Sequence, residues 1–141
     1  MHILKRFLAL YLGLTALAVF FNLILTPVYH DGSPEYPVWE IMNHFMAAGV
    51  LLALGMGFLR RRAASAPDTP ATESIWATVF CYATIALAML FFWEWFWNFN
   101  PDSETGEAVT SHIIYFPIVD ALYTIVALDA ARYLWKKARG T

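Results

Sequence analysis

Four long apolar runs constrain this chain more than any other feature. They cover about Leu4–Leu25, Val38–Leu59, Ser74–Trp97 and His112–Trp135 of the 141 residues. A helix rises about 1.5 Å per residue, so a hydrocarbon core of roughly 30 Å is crossed by about 20 apolar residues. In lipid every backbone N–H and C=O needs an internal partner, and within one segment only a helix provides it. Runs such as GVLLALGMGFL do not alternate as barrel strands do. The fold class expected is therefore an all-α integral membrane protein. Its single domain is a bundle of four transmembrane helices in up-down-up-down order.

The remaining stretches read as loops: HDGSPEYP, RRRAASAPDTPATE and NFNPDSETGEAVTS are rich in Pro, Gly, Ser, Thr, Asp and Glu. Composition agrees with lipid as solvent. The chain is 60% hydrophobic and 14% charged, against about 25% charged in an average soluble domain. A net charge of −2 argues against nucleic acid as a partner. The single cysteine, Cys81, excludes an internal disulfide and reads as a small packing residue. Lys5 and Arg6 before the first run suggest a signal peptide, but no small-x-small cleavage pattern follows in LILTPVYH, so the run is read as a retained span.

Charge sets the expected orientation. All nine Lys and Arg lie in three places: Lys5 and Arg6, Arg60–Arg62, and Arg132, Lys136, Lys137 and Arg139. Four spans put those three places on one side. The opposite loops carry Asp31, Glu35, Asp102, Glu104 and Glu107 and no cation. Positive residues mark the cytoplasmic side, so both termini are expected there, in a bacterial-type inner membrane.

Polar residues inside the spans gather toward the end away from the termini. Asn22 lies near that end of span one, Glu40, Asn43 and His44 in the first turns of span two, and Glu94 and Asn98 in the last turns of span three. Span four adds His112, Tyr115, Asp120 and Tyr123. Counted along the helices, Asn22, His44, Glu94 and Asp120 fall roughly 5–14 Å below the boundary. Residues three or four apart share a helical face. Tyr11, Thr15, Asn22 and Thr26 form one stripe, Glu40 and His44 a second, Glu94 and Asn98 a third, and His112, Asp120 and Thr124 a fourth. A charge facing lipid costs about 2.5–3.5 kcal/mol on insertion scales, so these faces are expected to converge. Pro117, one turn from Asp120, removes a donor and crowds the Ile113 carbonyl, where a kink would free that group toward a cavity.

The aromatic run LFFWEWFWNF around Glu94 reads first as an interfacial belt, joined by Trp39, and alternatively as the source of one or two rings that wall a ligand pocket beside Glu94; Trp76 and Trp135 mark the other interface. Asp129 and Arg132, three apart, read as a local ion pair outside the site. Gly49, Ala53 and Gly57 form a small-xxx-small ladder that predicts close helix contact on span two.

The expected ligand set is Asn22, Glu40, Asn43, His44, Trp93, Glu94, Asn98, Tyr115, Asp120 and Tyr123. The reading favoured by small size and aromatic walls is a subunit that binds a lipid- or quinone-like ligand, or an accessory subunit docked on a membrane-protein partner or on further copies of itself. A second reading is a metal site, with a metalloenzyme as one form of it: His44, Glu40, Glu94, His112 and Asp120 offer nitrogen and oxygen donors suited to Zn, Mn or Fe. A third is a purely structural polar network, and a fourth is ion movement, for which the apolar inner halves offer no path. The layout of four spans with acids and histidine in one leaflet is similar to that of the sterol-isomerase-like membrane family, without a shared motif that assigns a role to any residue. The orientation is testable with reporter fusions. Alkaline phosphatase joined after Arg139 should be inactive, and the same enzyme inserted in 98–111 active; the opposite pattern would invert the topology.

Overall fold

The computed structural model describes residues 2–31, 36–97, 99–100 and 106–140, with backbone alone for 106–113. Four helices account for nearly all of it: α1 (His2–Tyr29), α2 (Pro37–Ala63), α3 (Ala71–Trp97) and α4 (Gly106–Arg139). All four are long and apolar enough to cross a membrane, and the chain is a multi-pass membrane bundle. Each helix outruns its apolar stretch, because helical hydrogen bonding continues through polar residues once it has started. Thus α2 absorbs Arg60–Ala63. Similarly, α4 begins at Gly106, inside the stretch that composition marks as loop. Pro37 opens α2, where its fixed φ and missing N–H do no harm. Pro27 lies in the last turn of α1, and α4 runs on through Pro117.

Between helices in lipid there is no hydrophobic drive, and association depends on close packing and hydrogen bonds. Small residues therefore decide the arrangement. The helix α1 packs most extensively on α4, and α2 on α3. Short loops alone would favour α1 beside α2, yet that pair shares little surface. Ala9, Leu12, Ala16 and Val19 form the buried stripe of α1, and Ala127, Ala130 and Ala131 are buried on α4. Between α1 and α4, a Cβ added to Gly13 would sit in ordinary contact, 3.9 Å from Ala131 Cβ. The expected ladder on α2 does bring backbones together. A Cβ on Gly57 would come 3.2 Å from the Cys81 Cα and 2.5 Å from Thr84 Oγ1, and one on Gly49 would collide with the Tyr123 hydroxyl. The remaining surface carries Phe7, Leu14, Ile41, Phe45, Val79, Met89 and Ile125 outward, which suits lipid and not water.

At the end that carries the termini, Arg60 reaches across the bundle. Its Nη1 donates to Asp129 Oδ2 at 3.0 Å. Its guanidinium also lies 4.7 Å from the Tyr133 ring centre and 5.4 Å from that of Phe80. Asp129 therefore pairs with α2, and not with Arg132 one turn along its own helix. A planar guanidinium stacks on rings while it bonds a carboxylate, and α2 places it where both are within reach. Trp39 also departs from expectation: it is buried with the core rather than set in a belt.

Replacing Gly49 with Ala should lower stability by about 1–3 kcal/mol through overpacking. Combining it with Tyr123→Phe, which removes the atom nearest the added methyl, should recover part of that loss beyond additivity, measured by unfolding in detergent. Strict additivity would mean that the two residues do not meet.

Candidate functional site

The site grows from three helical faces. On α2, Trp39, Asn43, Met46, Val50, Ala53 and Gly57 follow the inward stripe at spacings of three and four. On α3 the stripe runs through Ala77, Phe80, Cys81, Thr84, Leu87 and Phe91 to Glu94. On α4 it runs from Val119 and Asp120 through Tyr123, Val126 and Ala130. These stripes meet toward the end away from the termini, in a recess lined by Asn43, Phe91, Glu94, Trp95, Phe116, Val119 and Asp120. Its cavity volume is about 10 Å³. A cavity of about 10–15 Å³ is room for one water-sized group.

Two carboxylates thus stand in one apolar recess. Glu94 is 3% exposed and Asp120 2%. Both Glu94 oxygens and Asp120 Oδ2 have no hydrogen-bond partner. Burying an unpartnered polar group costs several kcal/mol in an apolar surround, and two like charges repel. Nearby backbone offers no relief. Thr124, one turn on, donates its hydroxyl to the Asp120 carbonyl at 2.8 Å, not to the carboxylate. Thr84 likewise donates to the Cys81 carbonyl at 2.7 Å. Threonine in a helix commonly bonds back in this way.

Below the recess, Tyr123 is fully buried and ties three helices. Its hydroxyl donates to Thr15 Oγ1 of α1 at 2.9 Å and faces Gly49 of α2. Thr15 in turn donates to the Tyr11 carbonyl at 2.9 Å, and the Tyr11 hydroxyl donates to the Phe45 carbonyl of α2 at 2.7 Å. This network is satisfied within the protein, in contrast to the acids above it.

Of the residues picked out by sequence, the structure brings together Asn43, Glu94 and Asp120, with Tyr123 beneath them. The others lie apart. Glu40 and His44 share a face as expected, but it is the exposed one. The His44 ring donates from Nδ1 to the Glu40 carbonyl at 2.8 Å and sits edge-on to Trp95 at 5.5 Å. Asn22 stays on α1, where its Oδ1 accepts from the Tyr29 hydroxyl at 2.7 Å, so α1 adds no residue to the recess. Trp93 and Tyr115 are exposed and contact each other edge to face at 5.7 Å. Asn98 and the His112 side chain lie outside the described residues. Among the described residues no three of His, Cys, Asp and Glu gather as a metal would need. The set Glu40, His44, Glu94 and Asp120 is split because α2 turns Asn43 inward and its neighbour His44 outward.

Four lining residues are absent from the expected ligand set, Phe91, Trp95, Phe116 and Val119, the first two being rings of the aromatic run from which one or two pocket walls are expected. The signal was there, since Phe91, Glu94 and Trp95 repeat the i, i+3, i+4 spacing of Phe116, Val119 and Asp120. Trp95 is the aromatic wall, held among Phe91, Phe92, Phe96 and Phe99. No protein-family model, curated protein or solved structure matches the chain.

Removing the Tyr123 hydroxyl with Phe should cost about 0.5–2 kcal/mol of bundle stability, the range for a hydrogen bond between helices in lipid. An unchanged unfolding midpoint would show that the Tyr123–Thr15 bond does not hold α1 to α4.

Proposed function

We propose that this chain is a small-ligand-binding or accessory subunit of an inner membrane, with both termini cytoplasmic and the Asn43–Glu94–Asp120 recess opening in the outer leaflet. The single observation that carries this reading is the set of three buried carboxylate oxygens without partners. A polar network kept only to specify packing satisfies its own members, as the Tyr123–Thr15–Tyr11 chain does. The acids are arranged otherwise, and a group from outside would satisfy them.

The recess states what such a group must offer. It presents acceptors and negative charge, so its complement is a hydrogen-bond donor or a cation. The recess accepts one water-sized head, and the aromatic and aliphatic walls of Phe91, Trp95, Phe116 and Val119 suit an apolar stem. A lipid-like amphiphile with a donor head, or a quinol hydroxyl, meets these terms. An oxidised quinone does not, because it brings carbonyl acceptors to carboxylates. The nitrogen-and-oxygen metal site is less favoured, since His44 and Glu40 face away.

Native mass spectrometry of the gently purified protein tests the proposal. Wild type should retain a donor-bearing small molecule, and the Glu94→Gln/Asp120→Asn variant should lose it. The same variant should unfold no earlier than wild type, and later by up to about 3 kcal/mol, because it removes buried charges that the protein leaves unpaired. A variant that unfolds earlier, from a wild type carrying no ligand, would return the acids to a purely structural role.

A further inference from the structure

We propose that the group seated in the recess is a primary ammonium, R–NH₃⁺, carried on an apolar stem. This rests on the reading of the recess as a ligand site and names its ligand class. A primary ammonium has three N–H donors and no acceptor. The recess holds three unpartnered carboxylate oxygens, Glu94 Oε1 and Oε2 and Asp120 Oδ2, on side chains that are 3% and 2% exposed. Donors and acceptors match in number, and the positive charge offsets one of the two negative charges that the ionised acids would carry. An ammonium head is the size of a water, which is what a volume of about 10 Å³ admits. The rings of Phe91, Trp95 and Phe116 line the recess. Aromatic faces attract an ammonium and accommodate the carbons next to it.

Other positive or donor groups fit less well. A guanidinium is planar and brings five donors to three acceptors. A trimethylammonium has the charge but no N–H. An alcohol brings one donor and two lone pairs that meet carboxylate oxygens. Calcium takes six to eight oxygen ligands and magnesium six, and the walls beyond Glu94, Asp120 and Asn43 are apolar. The chain also disfavours a phosphate beside the amine. All nine Lys and Arg lie in 5–6, 60–62 and 132–139, at the end that carries the termini, so no Lys or Arg at the recess end balances a phosphate. The better source of the ammonium is therefore a phosphate-free amine.

The protein in phosphatidylcholine nanodiscs, whose headgroups carry no N–H, is titrated with octylamine, octyltrimethylammonium, octanol, magnesium and nanodisc-incorporated phosphatidylethanolamine. Binding is read by native mass spectrometry and by thermal shift. Octylamine should bind saturably at one site per chain, at least about tenfold tighter than the trimethylammonium or the alcohol, as expected for loss of charge-assisted hydrogen bonds. Glu94→Gln and Asp120→Asn should each weaken it by about tenfold or more, while Glu40→Gln, on the exposed face, leaves it unchanged. Saturable phosphatidylethanolamine binding displaced by octylamine supports the ammonium and assigns its source to a lipid headgroup; phosphatidylethanolamine binding absent beside tight octylamine assigns it to a free amine. Equal binding of octylamine and its trimethyl analogue, or octylamine binding unaffected by both acid variants, overturns the proposal. Acid-dependent binding of octanol or magnesium alone overturns the amine and keeps the recess as a ligand site. Binding of nothing, added or co-purified, overturns both.

Discussion

Hydrocarbon leaves a polar group no solvent to fall back on, and that demand organises this molecule. Backbone groups meet it by forming four helices. Side chains meet it in two ways. Tyr11, Thr15 and Tyr123 satisfy one another and the Phe45 carbonyl across three helices. Glu94 and Asp120 turn away from lipid without finding partners in the protein. The first solution stabilises the bundle. The second leaves a requirement that the fold does not meet, and the functional reading follows from it.

Packing explains why the acids meet at all. With no hydrophobic drive in lipid, backbones come close where side chains are small. Gly49 and Gly57 let α2 approach Tyr123 of α4 and Cys81 of α3, and this same approach draws Asn43, Glu94 and Asp120 into one recess. Alanine-rich contact holds α1 against α4 on the other side. The bundle opens into a narrow recess toward the end away from the termini.

Much of the fold was legible, because lipid imposes length and apolarity on any span. Helix number, order and the close approach at Gly49, Ala53 and Gly57 could be read from the residues alone. The site was legible in part. Glu94 and Asp120 declared themselves as charges that cannot face acyl chains. The choice on α2 was harder, since Glu40–His44 and Trp39–Asn43 are both four apart and differ by one helical step of about 100°. Following the ladder back from Gly57 through Ala53, Val50 and Met46 leads to Asn43 and Trp39, and this leaves His44 outside. Phe91 and Trp95 belong to the aromatic run beside Glu94 and line the recess, whereas Phe116 and Val119 share the face of Asp120 and carry no polar signal of their own. The pairing of Arg60 with Asp129 joins residues 60 and 129, and short-range spacing carries no sign of such a contact.

The α3 and α4 acids confront each other inside the protein. Solid-state NMR of the protein in lipid, with the Glu94 Cδ and Asp120 Cγ carboxyl carbons labelled, measures it directly. A through-space correlation between the two carboxyl carbons is expected, and none from either to lipid acyl protons. Correlations of both carbons with acyl chains, and none with each other, would contradict it.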